Sequence, residues 1–242
     1  WSNVSATFND ANATISAPAA SFGGIAVSGS WVYTSSDTAV AAVEAGNTQF
    51  DFGNAGTATI SGTFTPSNTT NYVSGGTATM TVTVAKADQT TLTVTSTSGT
   101  YGTNLMLTVG GGTTGGSVSW AVADDSASSC AITGGALRSS SAGTCTLTAT
   151  MAGNDNYNAV TSSPTTVTLT ARPITVKADA QTKVYGETDP TLTYAITSGS
   201  LVNSNTLSGA LSRVAGDDVG TYALTIGNLA NSNYDITFVP AN

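Results

Sequence analysis

A chain of 242 residues with only 8 % charged side chains, six Lys plus Arg and a net charge of −8 has no basic patch for nucleic acid or for an anionic membrane surface. It contains no His, so the commonest general base and metal ligand is missing. No apolar run approaches the ~18–20 residues that span a bilayer, and a Thr- and Val-rich composition with few charges suits β-structure better than disorder.

In chain order, the residues through Ala20 are polar and weakly patterned, with Phe8 and Ile15 as the expected apolar anchors. Residues 30–34 predict a strand with Trp31 and Tyr33 on one face and Val32 on the other. Phe50 and Phe52 alternate in the same way. Residues 57–65 predict the next strand, ended by the turn signal Pro66-Ser67-Asn68. Residues 77–84 alternate strictly, which sends Met80, Val82 and Val84 to a core and Thr81 and Thr83 to water. The following segment, 85–89, reads as a short linker without Gly, so its flanks should sit close with limited bending.

Beyond it, Leu92 and Val94 alternate with Thr, Tyr101-Gly102 signals a turn, and Leu105 and Leu107 begin another strand. Residues 110–116, with five glycines, predict a flexible loop. Residues 118–122 around Trp120 match the Trp31 strand, and residues 167–170 alternate like 77–84. After Arg172-Pro173, residues 174–176 predict a strand, Tyr185-Gly186 repeats the Tyr101-Gly102 turn, and Leu192-Thr193-Tyr194 takes the place of a Trp strand. Past Tyr234 only a short apolar run remains. The alternating strand that closes the two earlier segments is not expected here, which would leave an edge open to strand exchange.

One pattern ties these segments together. A strand opening with Gly-Thr is followed by Asn-Tyr at Gly56 and Tyr72, at Gly143 and Tyr157, and at Gly220 and Tyr234, spacings of 16, 14 and 14 residues. Successive copies begin 87 and 77 residues apart, a domain-sized period. The expected organisation is three related modules, 1–86, 87–171 and 172–242. With short strands, frequent turn signals and no 3.6-residue period, the fold class is all-β, as three tandem Ig-like β-sandwiches.

Chemistry-bearing residues are sparse. Cys130 and Cys145 flank two strand-like segments, 131–133 and 136–138, separated by Gly134-Gly135. A structural disulfide across this hairpin outweighs a redox pair or a metal site, because there is no Cys-x-x-Cys and no other thiol. Such a disulfide would contribute about 3 kcal/mol and implies an oxidising compartment. The acidic residues Asp88, Asp124, Asp125, Asp155, Asp217 and Asp218, with Glu187, sit near predicted turns. They are calcium candidates through carboxylate and carbonyl oxygens, but turns recruit Asp in any case. Trp31, Trp120, Tyr33 and Tyr101 read as core residues rather than a sugar-stacking platform. Lys86, Lys177 and Lys183 read as solvated side chains rather than partners in Lys–Asn cross-links. There is no nucleophile motif, so no enzymatic activity is expected.

Residues 63–72 (Thr-Phe-Thr-Pro-Ser-Asn-Thr-Thr-Asn-Tyr) with Val82–Ala87, and residues 142–149 with Asn156–Ala159, resemble the bacterial Ig-like repeats of large surface proteins. Within the second stretch, the Cys-containing form of these repeats carries its partner Cys on the preceding strand, where Cys130 is. Lys183-Val184-Tyr185-Gly186-Glu187-Thr188-Asp189-Pro190, with Val219–Tyr222 and Asn233-Tyr234, is similar to the MBG domain, a mostly bacterial Ig-like module. The resemblance implies a secreted, multi-repeat adhesin whose modules form a stalk on the bacterial cell surface, and it brings no catalytic residues and no cofactor. The implied partners are neighbouring Ig-like modules, with no membrane insertion by these residues. Trp1 begins no signal peptide, so any export signal or anchor is expected elsewhere. The alternatives are a module binding glycan or a host surface protein through the Gly110 to Gly116 loop, and accessory domains of a secreted enzyme.

Overall fold

The computed structural model describes all of residues 1–242 and contains strands and turns only, without helix. The chain divides into two compact units. One unit comprises Trp1–Thr91 with Gly112–Val118 and Thr150–Thr161; the other comprises Leu92–Gly111, Ser119–Ala149 and Ser162–Asn242.

In the first unit a four-stranded sheet has the order Val4–Thr7, Gly76–Ala85, Gly56–Pro66, Gly29–Ser35. A three-stranded sheet of Ala13–Thr14, Gln49–Phe52 and Ala41–Val43 completes the sandwich-like pair. Period-2 alternation decides which face is inside: Ala58 and Ile60 from one strand, and Met80, Val82 and Val84 from the next, are all buried. They meet Phe50, Ile15 and Tyr33 in a single core cluster. Each fully buried large side chain stabilises by roughly 1.5–3 kcal/mol. Trp31 stacks on Tyr33 at 6.3 Å and tilts against Phe64 at 5.2 Å, so these aromatics belong to the packing of the sandwich. Burial raises the pKa of the Tyr33 phenol. The weakly patterned opening does form a strand: Val4–Thr7 lies parallel to the closing strand, with Val4 against Val82 and Ala6 against Val84.

Chiefly in the second unit, strands Ser98–Thr100, Thr165–Thr170, Gly143–Met151 and Val118–Asp124 follow one another in one sheet. Again the first strand runs parallel to the last, Ser98 against Thr168, while Cys145 opposes Val167 in the antiparallel pair. Leu105–Met106, Ala136–Arg138 and Ala131–Thr133 form the facing sheet. The hairpin expected around Gly134-Gly135 is there, with Ile132 opposite Leu137. Cys130 and Cys145 are disulfide-bonded, Cα atoms 6.1 Å apart, so the bond joins the two sheets beside the core of Leu137, Leu147, Val167 and Leu169. Trp120 packs half-buried on the same core.

Two expectations change here. Leu107 lies outside the strand Leu105–Met106, and the glycine-rich run is not a free loop. Val109–Gly111 is a strand antiparallel to Leu92–Val94, its glycines tolerated because they lie at a short sheet edge.

The remainder of this unit is built on Arg172–Ala178, which pairs antiparallel with Tyr194–Ser198 and parallel with Tyr234–Val239. Its core holds Ile174, Val176, Ala178, Leu211, Leu224, Leu229, Tyr234 and, from far upstream, Tyr101. The strand expected at Leu192-Thr193 starts only at Tyr194. The apolar run after Asn233 is a full strand rather than a remnant. Gly220-Thr221-Tyr222 lies in no strand, although Gly56 and Gly143 each open one.

Candidate functional site: contacts between successive repeat copies

The Asn of each of the three Asn-Tyr motifs sits in a loop held by an upstream Asn whose side chain replaces a backbone turn. Asn68 Oδ1 accepts the amides of Thr70 and Asn71, Asn154 Oδ1 those of Asn156 and Tyr157, and Asn231 Oδ1 that of Asn233. Each loop thereby presents the Asn of its Asn-Tyr pair in a fixed orientation.

Within the first unit, the loop of the second copy meets the Gly-Thr strand of the first. Asn156 Oδ1 accepts the amide of Ala55, the residue before Gly56, at 2.9 Å, and its Nδ2 donates to Asn54 Oδ1 at 2.9 Å. The Asn156 carbonyl accepts the Ala87 amide, and Ala87 in turn accepts the Asn158 amide, a short parallel bridge. The Tyr157 ring meets Phe8 edge-on at 5.3 Å, and its hydroxyl accepts from Asn9 Nδ2 at 3.0 Å. Beneath this contact Gln89, only 8 % exposed, uses its whole amide. Its Nε2 donates to the carbonyls of Ala152 and Asn158, and its Oε1 accepts the amides of Thr113 and Thr114 and the Thr114 hydroxyl. The glycine-rich run is thus pinned by the segment read as a linker.

Within the second unit the same arrangement recurs one copy later. Asn233 Oδ1 accepts the amide of Ala142, the residue before Gly143, at 2.8 Å, and the Asn233 carbonyl accepts the Arg172 amide at 2.8 Å. Tyr234 meets Tyr101 edge-on at 6.1 Å. Tyr101 is fully buried, with its hydroxyl within bonding distance of the Ser140 carbonyl and Asn205 Oδ1 and accepting from Asn203 Nδ2. The Tyr234 hydroxyl accepts the Val202 amide at 2.8 Å.

The aromatic partners correspond as closely as the asparagines. Phe8 and Tyr101 each follow the strand that runs parallel to the closing one, and each donates its amide to the end of that closing strand, Ala85 and Thr170 respectively. The next residue has φ of 73° at Asn9 and 74° at Gly102. At position 102 a side chain is also excluded by space, since a Cβ would lie 2.4 Å from Val202 Cγ2. The recurrent Gly has its own reason: at Gly143, φ is 136° and a Cβ would lie 2.6 Å from the Ala127 amide nitrogen.

The acidic candidates are scattered among turns. Asp88 accepts from Asn158 Nδ2, Asp124 from the Ser129 and Cys130 amides, and Asp125 from the Thr144 hydroxyl. Asp155 is exposed in the second Asn-Tyr loop. Asp217 lies 3.9 Å from Arg213, and the Asp218 backbone carbonyl accepts from the Tyr222 hydroxyl. No three His, Cys, Asp or Glu side chains come together as a metal site. Lys86 donates to the Asn154 carbonyl at 2.7 Å, and Lys177 is exposed. Lys183 pairs with Asp189 at 2.6 Å, and Arg213 Nε reaches the same carboxylate at 2.7 Å. The hydrogen bonds from Arg213 and then Lys183 lower the Asp189 pKa to about 2, and the pairing raises that of Arg213. Composition gave no hint of this triad or of Asn54, Gln89, Asn203 and Asn205. The one available signal for the contacts was the recurrence of Asn-Tyr 14 to 16 residues after Gly-Thr.

This arrangement fastens backbone to backbone through side-chain amides and offers no reacting group. Residues 174–242 match the MBG domain (YGX type) family. Among solved structures the chain is similar to protocadherin gammaB7 EC3-6, described as a cis-dimer, at 12 % identity and a TM-score of 0.38, covering 96 % of this chain and 64 % of that one. It is also similar to mouse cadherin-23 EC22-24 (12 % identity, TM-score 0.28, 70 % and 62 % covered). A third likeness is to the zebrafish RET cadherin-like domains 1 to 4 (12 %, 0.29, 72 % and 50 %). The chain therefore spans between half and just under two thirds of the solved chains it resembles. No curated protein matches it.

Proposed function

We propose that these residues are a non-enzymatic stalk or spacer segment of a bacterial cell-surface adhesin, built from three Ig-like domains at 1–86, 87–171 and 172–242. The observation that carries this reading is the repeated contact: Asn156 on Ala55 and Asn233 on Ala142, each backed by an edge-on aromatic pair. A contact built twice from the same positions is what a module needs if it is to hold its neighbour at a set angle in an array. The MBG match at 174–242 supports an extracellular repeat module, and the disulfide supports an oxidising location.

Low charge and Thr-covered outer faces keep such a spacer from binding nonspecifically, and the disulfide resists unfolding of the middle domain. Small-angle scattering on the monomer, with calcium and with chelator, tests the reading. A rod with a maximum dimension on the order of 100 Å is expected from three sandwiches end to end. A compact particle would overturn it, and a rod that bends only in chelator would assign the acidic turns to calcium.

A further inference from the structure

We propose that the free edge of strand Val118–Asp124 in the middle copy binds the same edge of a second chain, so that two chains associate side by side through one antiparallel strand pair. The edge lies within one copy and owes nothing to the contacts between copies, so it is independent of the spacer reading.

Val118–Asp124 is last in its sheet, with Gly143–Met151 as its one neighbour. The Ala152 amide donates to the Ser117 carbonyl at 2.9 Å, which fixes the alternation along the strand. Ser119, Ala121 and Ala123 turn their backbone groups to that neighbour, and Trp120, Val122 and Asp124 turn theirs outward. The outward amides meet no acceptor in the chain. The first copy has the same edge and closes it. There Tyr33, two residues after Trp31 as Val122 is after Trp120, donates its amide to Asn47 Oδ1 at 3.3 Å. Asn47 stands in the turn 44–48 between Ala41–Val43 and Gln49–Phe52. In the middle copy the corresponding hairpin turns through Gly134-Gly135 alone, which brings no side chain to the edge.

Sheet edges are ordinarily protected by Pro, by Lys or by a charge on the strand. Residues 118–124 contain no Pro, Lys or Arg. Their one acid, Asp124, is turned back into its own loop, where it accepts the Ser129 and Cys130 amides. Register selects a second chain as the occupant. In an antiparallel pair centred on Ala121, Trp120 stands opposite Val122 of the second chain, and Val122 opposite its Trp120. Every outward-facing residue then meets another outward-facing one, so the free amides and carbonyls of both edges are paired. Trp120 and Val122 are half-buried on the core of Leu137, Leu147, Val167 and Leu169. Each ring would cover the open flank of the opposing Val, a favourable aromatic and β-branched cross-strand pair. On the other face Ala121 opposes itself between Ser119 and Ala123, small exposed side chains that let the edges close. Asp124 stands opposite Val118 of the second chain, ~20 Å from its own counterpart and beyond the ~8 Å Debye length at physiological salt.

Sedimentation equilibrium of the full chain at rising concentration tests the proposal. One strand pair buries well under the ~1,200 Å² of a stable interface, so the dimer is weak, and the parent is expected to pass from one chain to two at sub-millimolar concentration. Ala121→Lys, on the exposed face where the residue meets itself, sets like charges directly opposite each other. It is expected to weaken the dimer on the order of tenfold while leaving the thermal midpoint of the dilute chain unchanged. Two cysteine variants read the register under mild oxidation. Ala121→Cys is expected to cross-link two chains, because opposed positions of this kind have Cα atoms ~4.5 Å apart. Ala123→Cys, ~14 Å from its own counterpart, is expected not to. A chain that stays single at every concentration would overturn the proposal. So would a dimer indifferent to Ala121→Lys, no cross-linking by Ala121→Cys, or equal cross-linking by both cysteine variants.

Discussion

The side chain of Asn156 accepts the amide of Ala55 at 2.9 Å, joining residues that lie 101 positions apart in the chain. Because the acceptor is a side chain and the donor a backbone amide, the bond specifies position without requiring any particular residue at 55. The same holds for Asn233 and Ala142.

Removing either asparagine should cost stability locally. Asn156→Ala or Asn233→Ala takes away a hydrogen bond and leaves the facing amide without its partner, about 1–3 kcal/mol if that amide stays dry. Urea unfolding should show a lower midpoint at unchanged slope. Asn71→Ala, in the first loop, where the Asn is exposed, should change the midpoint little.

Tyr101 is predicted to be the more sensitive of the two aromatic anchors. Tyr101→Phe removes a buried hydroxyl that serves Ser140, Asn203 and Asn205, and should cost about 1–2 kcal/mol. Tyr157→Phe loses only the exposed bond from Asn9 and should cost less than about 1 kcal/mol. Equal losses in thermal unfolding would contradict the assignment of Tyr101 as a hub.

Reduction of Cys130–Cys145 should lower the stability of the part of the second unit that contains it by about 3 kcal/mol, from the lost loop constraint. Reduction is the cleaner probe, since Cys145→Ser would also place a hydroxyl in a fully buried position. Calorimetry with and without reductant reads the shift.

The Lys183–Asp189–Arg213 triad sets an acid limit. The folded pKa of Asp189, about 2, lies below the ordinary 3.8, so its contribution is fully present above about pH 4 and disappears as pH falls through 2. NMR titration of the carboxylate should follow that course, and Arg213→Gln should move its midpoint up towards 3.8. High salt should weaken the effect, because the pairs are partly exposed.

Strands with one buried face were legible in the sequence because alternation is the direct imprint of a half-buried sheet: Met80, Val82 and Val84 are inside as their spacing predicts. The hairpin at Gly134-Gly135 was legible from its turn chemistry. Val4–Thr7 was not, because its partner is parallel and reached only through Val82, far along the chain. Glycines hid the strand Val109–Gly111, and nothing local betrays that Gln89 holds Thr113 and Thr114. The Asn-Tyr recurrence was visible, but its meaning was not, since a bond to a backbone amide leaves no mark on the residue that donates it. Lys183 read as solvated because its partner Asp189 is brought close by a turn that composition does not specify.

The measurement that bears most directly on the central claim is amide hydrogen exchange at Ala55 and Ala142 in the parent chain and in the two single variants. The account predicts that both amides are protected in the parent, that Asn156→Ala exposes Ala55 but leaves Ala142 protected, and that Asn233→Ala does the reverse. Free exchange of both amides in the parent, or protection that neither substitution alters, would contradict it.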